Sequence, residues 1–177
     1  MIPVPQFLRV WDLWVRIGHW SLVSAITAAW LTRDGYGRVH DYIGYSALII
    51  VLLRIVWGFT GSPHARFSDF LRGPRVVFAY GRDLLANREA NYTGHNPLGG
   101  WMIAALLFTI AATGFTGWLY TTDYFWGVEW MEDLHAFLGT LILPLAALHV
   151  GGVIFTSWRQ KQNLVAAMVH GWKRQRD

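Results

Sequence analysis

Residues 133–149 read DLHAFLGTLILPLAALH, an apolar run with His135 near its start and His149 at its end, fourteen residues apart. On an α-helix that interval is about 21 Å of rise and returns both side chains to within roughly 40° of one face. An imidazole inside a membrane span is costly unless something uses it. A chain built on this stretch is therefore limited to helices that carry functional positions at two depths.

The surroundings call for lipid. Of 177 residues 54% are hydrophobic and only 15% charged, a balance that suits a membrane protein and not a soluble domain. Three more stretches have the length of a span. With the first they place candidate spans at about 11–31, 40–59, 98–120 and 134–158. For the first of these a cleaved signal peptide is the alternative; Asp12, Arg16, a deep His19 and the lack of a small-residue cleavage pattern argue against it. The connection 60–97 contains FSDFLRGPRVVFAYGRDLLA, where Pro74 suits the first turn of a short helix and Val76, Val77, Tyr80 and Leu84 share a face. With Arg75, Arg82 and Asp83 inside it, the segment reads as an amphipathic helix in the headgroup region, and residues 163–176 read the same way. There is no internal repeat or linker, so residues 1–177 are expected to form one all-α, integral-membrane four-helix bundle.

Charge gives the orientation. Thirteen of the fifteen Lys and Arg residues fall on one side of these spans. Arg33 and Arg38 fall on the other, with the acids Asp123, Glu129, Glu132 and Asp133. The positive-inside rule then predicts both termini and the long connection to be cytoplasmic. Trp14, Trp30, Trp57, Trp101, Trp118, Trp130 and Trp158 lie near the span ends, as an interfacial belt would. Basic residues sorted this way point to membrane lipid as the partner and not to nucleic acid.

Depth also sorts the histidines. His40 and His135 open their helices near the outer surface, whereas His19 and His149 lie about 12–14 Å from their cytoplasmic ends. The spans thus offer an outer pair, His40 with His135, and an inner pair, His19 with His149. Cysteine is absent, which excludes thiolate-held iron–sulfur clusters and covalent haem attachment. Two depth-matched imidazole pairs, with no carboxylate cluster beside them, suggest two bis-imidazole b-type haems. Gly44 and Gly139, one turn beyond His40 and His135, leave room for the edge of a flat cofactor. Arg54, fourteen residues after His40, and Arg16, one turn before His19, are candidates for a haem propionate.

Blander readings compete. A lone membrane histidine is often a helix–helix hydrogen-bond partner. Arg54 is as well placed to snorkel to the cytoplasmic surface, and Gly114-x-x-Gly117 reads as helix packing. A mononuclear metal centre would need three or four ligands at one level. Pro144 is expected to bend its helix by freeing the carbonyl of Thr140. His64 and His95 read as structural loop residues and His170 as interfacial.

The sequence resembles the bacterial cytochrome b561 family, with the cytochrome b subunits of Ni,Fe-hydrogenases and the formate dehydrogenase membrane subunit. The likeness is carried by VWDLWVRIGHW, HDYIGYSALIIVLLR, GSPHARFSDFLRGP, GHNPLGGW and the His135/His149 interval. It implies His19, His40, His135 and His149 as axial ligands of two haem b groups, and exchange of electrons with quinone. The expected function is electron transfer between a periplasmic cytochrome or oxidoreductase subunit and the quinone pool. A stand-alone superoxide:ubiquinone oxidoreductase and a haem-free membrane anchor are the alternatives.

Overall fold

Helix boundaries in this chain are set by recognisable caps. Asp12 accepts a hydrogen bond from the Val15 backbone N–H (2.8 Å), and α1 follows at Leu13–Thr32. The same carboxylate accepts from the Trp57 indole (3.0 Å) and from the Ser62 hydroxyl, tying the start of α1 to the end of α2, Gly37–Thr60. A 3₁₀ turn at Pro63–Ala65 and the single-turn α3, Phe67–Phe70, lead to α4, Pro74–Leu85. Proline stands in the first turn of α4 and again at the start of α5, Pro97–Tyr120, where its missing N–H costs nothing. The Asn96 side chain caps α5 by accepting from Gly99 N–H at 2.7 Å. The longest helix, α6, spans Glu129–Gln160 and runs through Pro144. It opens at Glu129, ahead of the Leu134 expected from hydropathy, because Glu129 and Glu132 suit the positive end of a helix dipole. The short α7, Leu164–His170, is stopped by Gly171 at φ +91°.

The computed structural model describes residues 7–35 and 37–174, so Arg176, counted above among the basic residues, lies outside the described residues. Among the described residues three helices, α2, α5 and α6, are long and apolar enough to cross a membrane. The 20-residue α1, which carries Arg16 and His19, has the length but is not among the helices apolar enough by the same measure. By contacts the chain divides into two compact units, to both of which each of these four helices contributes.

One unit comprises Met1–Arg16, Trp57–Ala104 and Leu148–Asp177. Its core gathers Val10, Trp11, Val15, Ala65 and Ala167, with Trp57 and Met168 packed against them. A two-stranded antiparallel ribbon joins β1, Phe7–Arg9, to β2, Trp172–Arg174, with Leu8 opposite Lys173. Residues 163–176 were expected to form one interfacial helix; the structure ends that helix at Gly171 and uses the next three residues as a strand. An alanine methyl at Gly171 would sit 2.7 Å from the Trp11 carbonyl oxygen, so glycine is required there by contact as well as by φ.

Arg159, at the end of α6, forms a two-pronged ion pair with Glu89 (2.6 Å to each oxygen) and reaches Asn87 Oδ1 at 2.5 Å. The Arg159 hydrogen bonds hold the Glu89 carboxyl below the usual carboxylate range. With the folded-state value depressed, the pair's contribution is present above the ordinary carboxylate pKa and lost as pH falls through the folded one. Arg159→Ala is expected to destabilise the protein by about 0.5–2 kcal/mol, the worth of charged hydrogen bonds in a half-buried setting partly screened by solvent. Denaturation in detergent at neutral pH checks this, and the gap between variant and native protein should narrow under acid conditions.

The second unit comprises Ile17–Val56 and Ala105–Ala147. Ala47, Val51, Leu107, Ile110, Met131 and Ile142 are buried in it. Gly114 lets α5 approach Leu48 of α2, where an alanine Cβ would lie 3.0 Å from the Leu48 Cβ. Thr109, Thr113 and Thr116 return their hydroxyls to carbonyls one turn back (2.8–2.9 Å), so α5 carries them without unpaired donors. The outward residues Leu53, Phe108 and Phe137 are each more than 60% exposed, a surface suited to lipid.

Candidate functional site

His40 and His135 meet inside the second unit. Their ring centroids are 6.1 Å apart and the ring planes nearly perpendicular, at 88°. His40 stands in the first turn of α2, with Nδ1 3.0 Å from the Ala29 carbonyl oxygen of α1. His135 stands on α6, with Nδ1 3.0 Å from the Thr113 carbonyl oxygen of α5 and 3.4 Å from the Thr116 hydroxyl. A carbonyl oxygen can only accept, so each ring carries its proton on Nδ1 and keeps the Nε2 lone pair available. Pinning the far nitrogen in this way is how proteins orient a metal-binding imidazole.

The spacing suits one metal ion held between the rings. Two bonds of about 2 Å, of the kind imidazole makes to a metal, plus about 1 Å from each nitrogen to its ring centre, come to roughly 6 Å. No group of three His, Cys, Asp or Glu side chains that could hold a metal occurs among the described residues. Two nitrogen donors alone suit a metal whose other positions are filled by a macrocycle, as in b-type haem. On these observations the outer pair fits the group.

Glycine spacing around the pair has two distinct causes. A Cβ on Gly117 would stand 2.7 Å from His135 Cε1, so Gly117 makes room for the imidazole itself. Both glycines thus serve helix packing, as expected, Gly114 against Leu48 of α2 and Gly117 against the His135 ring of α6. A Cβ on Gly44 would meet no described atom within 4 Å, and one on Gly139 only Thr113 Cγ2 at 3.9 Å. Neither glycine is demanded by contacts within the described protein, which leaves both positions open to a role toward a bound group.

The inner positions are distributed differently. His19 is the seventh residue of α1, half-buried, with its ring edge-on to Trp20 at 5.0 Å, and belongs to the second unit. His149 is half-buried on α6 and belongs to the first. Arg16 donates from Nη2 to the Val169 carbonyl of α7, so part of its guanidinium serves the fold. Arg54 lies on α2, partly buried.

Outside these positions, His64 Nδ1 lies 3.2 Å from Asp69 Oδ2. The His95 ring packs 4.5 Å from Trp11 and 5.0 Å from Phe70. His170 Nδ1 accepts from the Trp172 backbone N–H at 3.0 Å. Sequence reasoning missed the groups that orient the outer pair: the carbonyls of Ala29 and Thr113, the Thr116 hydroxyl and the cleft at Gly117. Only the last two leave any side-chain trace, as Thr116-Gly117 in a helix without charge or histidine.

Residues 10–171 match the prokaryotic cytochrome b561 family. A protein described as a probable Ni/Fe-hydrogenase B-type cytochrome subunit, from Rhizobium leguminosarum bv. viciae, is 25% identical over 94% of this chain and 88% of its own length. No solved structure matches the chain. With a match that takes in the apolar helices and all four of His19, His40, His135 and His149, the chain belongs to the prokaryotic cytochrome b561 family.

Proposed function

We propose that this membrane b-type cytochrome passes electrons between a periplasmic redox partner and the quinone pool, using two haem b groups. The observation that carries the reading is the outer pair: two imidazoles 6.1 Å apart, each with Nδ1 against a backbone carbonyl. Haem b would supply one-electron iron chemistry, and the chain supplies ligation, orientation and burial. His40 and His135 would hold the outer group, with Gly44 and Gly139 along its edge. His19 and His149 would hold the inner one, with Arg54 and the remaining donors of Arg16 as candidates for its propionates. The fourteen-residue interval on α6 supports two levels about 21 Å apart.

In this reading α1 spans the membrane beside α2, α5 and α6 as the fourth helix of the bundle, and both termini face the cytoplasm of a bacterial inner membrane. The distribution of Arg and Lys supports that orientation. The Rhizobium relative, described as a hydrogenase cytochrome subunit, supports a redox-enzyme subunit as the outer partner. The acidic Glu129, Glu132 and Asp133 would face it. A superoxide-oxidising activity gains no support from the outer cations. Arg33 pairs with Asp34 at 3.1 Å and lies over the Trp30 ring, so its charge is already committed.

A redox-titrated absorption spectrum of the purified protein tests the reading. Two haem b per chain are expected, reduced on addition of a quinol. One haem per chain would remove the two-pair assignment, and two haems indifferent to quinol would remove the quinone. Protein isolated without a b-type spectrum would favour the anchor.

A further inference from the structure

In the first unit the β1–β2 ribbon borders a cavity of about 160 Å³, far above the roughly 10–15 Å³ that admits one water, so a polyatomic ion fits. Lys173, Arg174, Asn91, Thr93, Gln160 and Gln162 contribute to its wall, and no aspartate or glutamate does so among the described residues. The lining therefore offers two cations and several amide and hydroxyl donors with no opposing charge.

Lys173 is the unusual member. Its Nζ donates to the carbonyls of Thr93 (2.9 Å) and Gly94 (3.2 Å) and lies 5.3 Å from the Trp11 ring centre. No carboxylate among the described residues comes within ion-pair distance of it. Burial without a counter-charge pushes its ammonium down to about 8. A cation desolvated in this way gains most when an anion arrives. Gln162 Nε2 donates to the Arg174 carbonyl at 2.8 Å, which fixes β2 against the end of α6 and keeps Arg174 beside Lys173. The place matters as well. Gln160 ends α6 two residues after Trp158, whose exposed indole marks the headgroup level of a membrane protein.

We propose that this cavity binds a phosphate group, with Lys173 as its counter-charge and Arg174, Asn91 and Gln160 as further donors. At the membrane boundary the phosphate belongs either to an anionic phospholipid headgroup or to free phosphate. Basic pockets at helix ends take lipid headgroups by this chemistry. The site does not depend on the electron-transfer reading.

The haem-loaded full chain is tested in two arms. Phosphatidylglycerol retention, against phosphatidylcholine, is read by native mass spectrometry from mixed nanodiscs, and inorganic phosphate is titrated by calorimetry in detergent. Saturable binding of one probe is expected, and which probe binds identifies the source. Lys173→Met should weaken that binding at least about tenfold, by loss of one charged contact, whereas Lys173→Arg should retain most of it. Arg174→Gln removes an exposed cation without disturbing the fold and should weaken binding several-fold, which keeps the test decisive if Lys173→Met fails to accumulate. Absence of saturable binding in the native chain, or binding unchanged in both charge-removing variants, overturns the proposal.

Discussion

His135→Ala is expected to leave the protein with one haem in place of two, and with a single component in its redox titration. The side chain removed is one of two donors proposed for the outer group, and the structure offers no third titratable ligand near it among the described residues. A haem left with one imidazole donor would be held far more weakly than with two, so the outer group should be lost on purification. His40→Ala should give the same spectrum, because Nε2 of either ring is equally required. His149→Ala should remove the other component and leave the outer one in place. The helices should survive all three changes, since in each a small apolar side chain replaces a half-buried polar one. Retention of both haems in His135→Ala and in His149→Ala would refute the pairing by depth. Loss of both haems from either would mean that the two sites fold as one.

The four long helices and the outer histidine pair were legible because they rest on local signals. Span length is a count, depth is a count from a span end, and a fourteen-residue interval survives small errors in either. The same method gave α4, where Pro74 and the Val76–Tyr80–Leu84 face are all local. What stayed hidden depends on distance in the chain or on backbone atoms. The β1–β2 ribbon joins two three-residue strands from opposite ends of the sequence, too short to show a two-residue period. Arg159 and Glu89 are seventy residues apart, and nothing in either neighbourhood names the other. The Ala29 and Thr113 carbonyls that orient the imidazoles could belong to any residue type. Arg16 shows the opposite failing. Its position near His19 suggested a propionate partner, while the fold also uses it to hold the Val169 carbonyl. Long side chains reach further than helix arithmetic resolves.

Gly117→Ala is expected to remove or severely deplete the outer haem while leaving the inner one and the helices intact. In a helix the change from glycine to alanine is ordinarily worth about 1 kcal/mol in favour of alanine, so propensity alone predicts a more stable protein. The methyl would, however, lie 2.7 Å from Cε1 and 3.1 Å from Nδ1 of His135. The ring cannot turn aside freely, because Nδ1 is held by the Thr113 carbonyl at 3.0 Å on the same helix that carries the new methyl. Yielding by a few tenths of an ångström would stretch that hydrogen bond and shift the ring, and with it Nε2, from its place beside His40. The variant therefore separates folding from ligation: helix content by circular dichroism unchanged from that of the native chain, outer absorbance lost, and the unfolding temperature lower only by what the missing haem contributed. Gly44→Ala supplies the contrast, since its methyl meets no described protein atom within 4 Å. Haem lost from Gly44→Ala would have to be displaced by contact with the haem itself, whereas haem lost from Gly117→Ala is displaced through His135. If Gly117→Ala keeps a native outer spectrum, the His135 ring is not held where its hydrogen bonds place it, and the orientation argument for the outer pair fails with it.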